Sequence, residues 1–275
     1  MNKYHKVLCH TDPNHPIKVV DDLWRSLHYP PETSTILLIL RILASIVQAS
    51  NPEQQIGEFL SLMHDTVNKK EDLVHKMLGD KFVDQLEQLR MATMTIFASH
   101  PVVHSLLTPD GFAALMALVG RNSQGIGTSA FAVWIKESEK LPGLKPEDKS
   151  KLDELIDAIY TAIDQHAGTF MNNEGSGLYA KQSTINHDCQ PNAVVEFPFN
   201  NHELVVNTIR PIDAGEEICI SYLDECDLSR SRHSRSKMLA ENYLFHCDCS
   251  KCQSQQDDPN ITSDEEMTSD ESDDD

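Results

Sequence analysis

Positive charge is scarce in this 275-residue sequence: 23 Lys and Arg stand against 43 Asp and Glu, a formal charge of −20. Residues 253–275 hold ten of those carboxylates and no Lys or Arg, so acidity is concentrated in the tail. Phosphate contacts need clustered Lys and Arg, which disfavours direct nucleic-acid binding and makes a basic protein or peptide the partner to expect. Long apolar runs are missing too. The longest, Ile36–Val47, is interrupted by Arg41 and is too short to span a bilayer, and the N-terminus has nothing resembling a signal peptide. The expectation is a soluble monomer without a membrane anchor, cytoplasmic and/or nuclear. An even disulfide framework is absent as well: there are seven cysteines, and three of them crowd into Cys247-Asp-Cys249-Ser-Lys-Cys252, which suits a metal and a reducing compartment. Nor is there a dinucleotide fingerprint, because Gly125-Ile-Gly127 lacks the third glycine and a preceding strand. That stretch reads as a loop.

What is present is enough for a core, at 40% hydrophobic residues. Residues 1–31 show little periodicity; His5 and Cys9 read as a surface histidine and a free thiol, since structural zinc wants four ligands. From Thr33 to about Gly120 the pattern is helical: Ile36, Leu37, Leu40, Leu43, Ile46 and Val47 follow the 3.6-residue period. Further helices are expected at 53–68, 71–78, 80–99 and 109–119, the last with Thr108 as N-cap and Pro109 at the first position. His64, His75, His100 and His104 form no ligand-like cluster. Lys145-Pro-Glu-Asp opens another helix that ends near Gly168. Past Gly177 the period drops to two. Residues 193–197, 203–209 and 216–222 read as a small antiparallel unit turned at Asn200-Asn201 and Asp213-Ala-Gly215. Residues 229–244 read as a helix with Arg230, Arg232, Arg235 and Lys237 on a solvated face. The tail has no apolar periodicity and is expected to be disordered.

Chemistry concentrates at Asn186-His187-Asp188-Cys189-Gln190-Pro191-Asn192, at Gly215-Glu-Glu-Ile-Cys-Ile-Ser-Tyr222 and at the cysteine trio. Taken singly, an Asn-His pair caps a turn, a strand-end tyrosine packs, and Phe245 belongs to a core. Taken together they resemble SET-domain protein lysine methyltransferases, of the SET and MYND domain-containing branch: Asn-His-Ser-Cys-x-Pro-Asn with Asp188 in place of Ser, a second signature ending in Tyr222, and a Cys-x-Cys-x-x-Cys post-SET segment. Asp is a mild replacement, because it too can cap a local turn.

The resemblance implies an α+β fold: small antiparallel SET-type sheets, a large helical N-terminal region, a zinc-bound post-SET segment and a disordered acidic tail. It divides the chain into a zinc-finger remnant at 1–9, a helical region at 10–110, the catalytic part at 111–223, the post-SET segment at 224–252 and the tail at 253–275. It makes Tyr222 the catalytic tyrosine, Asn186, His187 and Phe245 contacts of S-adenosyl-L-methionine, and Tyr243 a wall of the lysine channel. Three thiolates need a fourth ligand for tetrahedral zinc. The resemblance sets the post-SET segment against the 186–192 turn and nominates Cys189, with Cys226 and His246 as competitors. His5 and Cys9 would be the last ligands of a finger whose other ligands are missing, so no zinc is expected there. The family's Gly-x-Gly cofactor turn is also missing, so the sequence looks like a truncated form or a partial gene model.

Two readings follow from different classes. One is an S-adenosylmethionine-dependent protein-lysine N-methyltransferase acting on a histone or ribosomal type of protein. The other is a catalytically silent, zinc-stapled interaction module. A zinc hydrolase is a poor third, since a thiolate-rich site looks closed to water.

Overall fold

The computed structural model describes residues 4–9, 15–27, 34–64, 82–128, 130–167 and 175–259. The expected helix at 71–78, the helix end at Gly168 and the tail from 260 onward lie outside the described residues. The chain forms two compact units: Met1–Ala180 with Phe197–Glu203, and Lys181–Glu196 with Leu204–Asp275.

The first unit is built around a central apolar helix. After the short helix α1 (His5–Leu8), α2 (Pro16–Leu27) buries Val20 and Trp24. Helix α3 (Ser34–Val47) buries residues around most of its circumference, as a helix enclosed by its neighbours must. Its one cation, Arg41, is exposed and lies 5.2 Å from the Tyr4 ring centroid. Helix α4 (Pro52–Leu60) opens on Asn51, whose side chain accepts from the Gln54 amide, and ends well short of the expected residue 68. Helix α5 (Phe82–Phe97) and the 3-10 turn Pro101–Leu107 bring Leu89, Phe97, Val103 and Leu107 into the same core. Helix α6 (Pro109–Asn122) starts as its sequence dictates: the Thr108 hydroxyl accepts from the Gly111 amide at 3.1 Å and Pro109 needs no N–H there. Gly111 is required by space, because a Cβ would sit 2.5 Å from the Ser105 carbonyl oxygen. Two further expectations fail in this unit. Residues 16–27 are helical despite the little periodicity read there, and the supposed Gly125 loop is strand β1 (Ser123–Ile126), antiparallel to β2 (Gly175–Leu178). Two glycine-rich strands have little intrinsic preference and form because each satisfies the other's backbone. Helices α7 (Ala130–Glu139) and α8 (Pro146–Ala167) lie between them in sequence.

The second unit is small and irregular. Strand β3 (Asn186–His187) is followed by an antiparallel pair, β4 (Ala193–Glu196) with β5 (Val205–Thr208), and then by β6 (Cys219–Ile220). The wholly antiparallel sheet expected from the sequence is corrected here: β3 and β6 are parallel, with Asn186 opposite Cys219 and His187 opposite Ile220. Parallel partners need a crossover, and the residues between them, with the β4–β5 pair, supply it. Gly215 has φ +90°, the conformation that favours glycine, and closes the turn in which the Glu216 amide donates to the Asp213 carbonyl at 3.0 Å. Helix α9 (Glu225–Leu228) precedes α10 (Arg232–Tyr243), which Ser231 caps. The chain ends its described part in α11 (Ser250–Ser254) and a turn reaching residue 259, so order persists beyond the tail start expected at 253.

Candidate active site and metal centre

The turn at 186–192 is held by its own side chains. Asp188 accepts the Gln190 amide at 2.7 Å, the capping role that lets it replace serine. Asn192 is buried and fully engaged. Its Oδ1 accepts from the Cys219 amide at 2.8 Å, and its Nδ2 donates to the Glu217 carbonyl at 2.8 Å and to Glu216 Oε1 at 3.1 Å. Its backbone adds bonds to Cys219 and Ile209. One carboxamide thus ties the turn to the 216–219 segment that leads into β6, a role that sequence reading missed although the residue stands in the motif.

Four rings meet beside this turn. Tyr222 lies 5.4 Å from His187, 4.8 Å from Tyr243 and 6.1 Å from Phe245, centroid to centroid. The Tyr222 hydroxyl donates to the Ile185 carbonyl at 2.7 Å, and the Tyr243 hydroxyl donates to the Tyr222 carbonyl at 3.3 Å. Burial pushes the Tyr222 phenol above its ordinary value, with Tyr243 and Cys219 adding to it; burial and then Asp224 do the same to Tyr243. Both phenols stay protonated donors at neutral pH. Leu244, at φ +61°, ends α10 in the left-handed region and turns the chain between Tyr243 and Phe245.

His187 links the rings to sulfur. Its Nδ1 accepts the Tyr222 amide at 2.9 Å, which places the ring proton on Nε2, 3.4 Å from Cys189 Sγ. Burial holds this imidazole down at about 4, against the opposing pull of Asp188 and with Arg235 reinforcing the shift, so the ring is neutral. Asn186 is exposed at the end of β3, and its Nδ2 donates to Glu217 Oε1 at 2.6 Å.

The sulfur atoms of Cys189, Cys247, Cys249 and Cys252 all lie within 4.8 Å of one another and could hold a metal ion. Cys189 Sγ is 3.6 Å from Cys252 Sγ and 4.0 Å from Cys247 Sγ. A tetrahedron with Zn–S bonds of about 2.3 Å has edges of roughly 3.8 Å, whereas a disulfide needs about 2.05 Å, so the spacing fits a cation. All four are free thiols. Burial pushes Cys189 up to about 12 and raises Cys247 further, so without a cation these two remain protonated. Burial also opposes the Cys252 thiolate, but hydrogen bonds from Arg235, Cys189 and Cys249 outweigh it and hold that thiol below its usual value. The competing ligands stand apart: Cys226 is exposed, and His246 Nδ1 lies 3.1 Å from the Ser236 hydroxyl. Cys9 is exposed, and the side chain of His5 lies outside the described residues. Cys219, expected as a buried small hydrophobe, is half-buried within β6. Arg235, read from the sequence as part of a solvated face, is fully buried.

This pairing of an Asn-His turn with a strand-end tyrosine, beside a four-cysteine cluster, defines a class. The SET domain family matches residues 46–223, well over half of the chain, and the chain belongs to that family. It is 48% identical over 268 residues to the protein-lysine N-trimethyltransferase SMYD5 of Homo sapiens, a match covering 96% of this chain and 63% of that protein. The SMYD5 of Gallus gallus is 47% identical over 271 residues, covering 97% and 64%. A shorter match, 40% over 98 residues, joins it to the histone-lysine N-methyltransferase SMYD3 of Mus musculus, covering 35% and 22%. The chain spans just under two thirds of the length of these SMYD5 relatives.

Proposed function

We propose that this chain carries the catalytic site of an S-adenosyl-L-methionine-dependent protein-lysine N-methyltransferase, stapled by one structural zinc. The observation that carries the reading is the Tyr222 hydroxyl: its proton is committed to the Ile185 carbonyl at 2.7 Å, which leaves the oxygen lone pairs for an incoming amine. The cofactor supplies an electrophilic methyl group on a sulfonium, and the protein's task is to align an amine with it in a dry space. Tyr222 accepts an N–H of the substrate amine and so orients the nitrogen lone pair. Tyr243 and Phe245 exclude water, which lowers the amine's solution pKa of about 10.4 and favours its neutral form. Asn186 suits the amino-acid end of the cofactor: Glu217 holds its amide nitrogen, and among the described residues nothing engages its carbonyl oxygen, which is free to accept an ammonium. His187 contributes through its backbone, and Phe245 packs toward the adenine. Cys189, Cys247, Cys249 and Cys252 would hold the zinc, and four thiolate ligands would leave no place for a reactive water.

The substrate class is a basic protein, histone or ribosomal in type. The formal charge of −20 attracts such a partner and disfavours nucleic acid. The odd cysteine count and the clustered trio favour a reducing compartment, so the reading takes the cytoplasm or nucleus as the location. Calorimetric titration with S-adenosyl-L-methionine followed by transfer to a basic peptide tests the reading. Tyr222→Phe should lower transfer about 100-fold or more while zinc content stays unchanged. Retained activity removes Tyr222 from its role, and no binding at millimolar cofactor leaves only an interaction module.

A further inference from the structure

Arg235 is a side chain that neither the ring cluster nor the ligand set accounts for. It lies in the first half of α10 with 0% of its surface exposed, one of the largest fully buried side chains of the chain. One terminal nitrogen donates to the Arg230 carbonyl at 2.6 Å; the other donates to Gln255 Oε1 at 2.7 Å and approaches Cys252 Sγ at 3.7 Å. Its Nε has no partner. A carbonyl and a carboxamide satisfy N–H groups but carry no net charge. Among the described residues no carboxylate pairs with Arg235, and the group able to carry negative charge that it reaches is Cys252 Sγ, which itself lies 3.6 Å from Cys189 Sγ. A buried guanidinium without an anion is costly, and four neutral thiols would not provide one.

We propose that Arg235 is the counter-charge of the four-cysteine centre, a buried cation that stabilises the anion formed when four thiolates enclose a divalent metal. The inference rests on the reading of this cluster as a zinc site. Zn2+ with four thiolates carries a net charge of −2, and one guanidinium halves it. Lys251, in the segment that bears the last ligand, turns its Nζ to the Leu228 carbonyl at 2.7 Å, and among the described residues it makes no contact with a sulfur. His187 keeps its Nδ1 for the Tyr222 amide, so what its Nε2 offers Cys189 is a hydrogen bond. Arg235 therefore acts through the ligands as a positioning and electrostatic residue. The dependence is mutual: the metal centre needs the cation, and the buried cation needs the metal centre.

The test measures Zn2+ affinity by chelator competition, and the thermal midpoint with and without Zn2+, in the whole chain and in Arg235→Gln and Arg235→Lys. The glutamine variant should bind Zn2+ about 10- to 100-fold more weakly, as loss of a ligand's supporting contact does. The lysine variant, which keeps the charge, should retain most of the affinity. Glutamine should lower the midpoint of the zinc-loaded protein but leave that of the stripped protein unchanged or raised, because there the substitution removes an unpaired buried charge. Equal zinc affinity in the glutamine variant overturns the proposal, as does an equal loss of stability with and without Zn2+, which a packing role alone produces. If the glutamine variant does not fold, lysine decides: zinc affinity like the parent's upholds the counter-charge, and collapse of the lysine variant as well overturns it. A parent chain that takes up no Zn2+ defeats the metal reading itself, and this inference with it.

Discussion

In the first unit, Ile39, Leu40, Leu43 and Ile46 of α3 are fully buried among Trp24, Leu89, Phe97 and Leu115. In the second, the buried residues include Asn192, Ser234 and Arg235 beside Cys189, Cys252 and only a few aliphatic side chains. The helical unit gains its stability from apolar area removed from water, which is non-directional and tolerant of small errors. The second unit has too little such area, so directional bonds must hold its short strands in place, and the proposed zinc would add to them. Directional forces also set angles, which is what a reacting amine requires and what a greasy core does not supply.

The comparison breaks most readily at the sulfurs. Chelation, or Cys252→Ser, should remove the roughly 10 kcal/mol or more that structural zinc contributes in small domains. Amide exchange should then accelerate over 181–196 and 204–259 while α3 remains protected; simultaneous loss in both units would show that one cooperative core holds them together. Next in size, Leu43→Ala should destabilise the helical unit by about 2–5 kcal/mol through the cavity it leaves, with bound zinc unchanged by metal analysis. Asn192→Ala should cost the second unit about 1–3 kcal/mol for each group left unsatisfied, chiefly the Cys219 amide and the Glu217 carbonyl, read by urea unfolding of zinc-loaded protein. The smallest effect belongs to Glu216, half-buried and held at about 2, below its ordinary 4.5, by Arg210 first and then by the Asp213 amide and Asn192. Because the folded value is depressed, its contribution is complete above pH 4.5 and is lost as pH falls toward 2. Glu216→Gln should flatten the acid limb of the stability profile across that window, and an unchanged limb would place the acid sensitivity elsewhere.

Much of this was legible in order along the chain. Thr108-Pro109 announced a helix start because both capping and the missing N–H are local matters. Asp213-Ala-Gly215 announced a turn for the same reason. Helix α2 was legible but missed: Ile17, Val20, Trp24 and Leu27 recur at helical spacing, and that stripe was the available signal. The pairing of β1 with β2 was not legible, since it joins Gly125 to Ser176 across fifty intervening positions and neither segment favours a strand alone. Arg235 was misread because helical periodicity in a basic stretch says which residues share a face, not what covers that face.

By itself the sequence determined the residue types of the site, the local turns that present them, and the helices whose apolar stripes demand burial. Those are short-range consequences of side-chain chemistry and backbone geometry. The tertiary structure alone decided that β3 and β6 run parallel and that Cys189 closes the sulfur tetrahedron where Cys226 and His246 do not. It also decided that one of the three arginines in that basic stretch, Arg235, would be sealed beside it. These are matters of distance between residues far apart in the chain, and sequence spacing carries no measure of that distance.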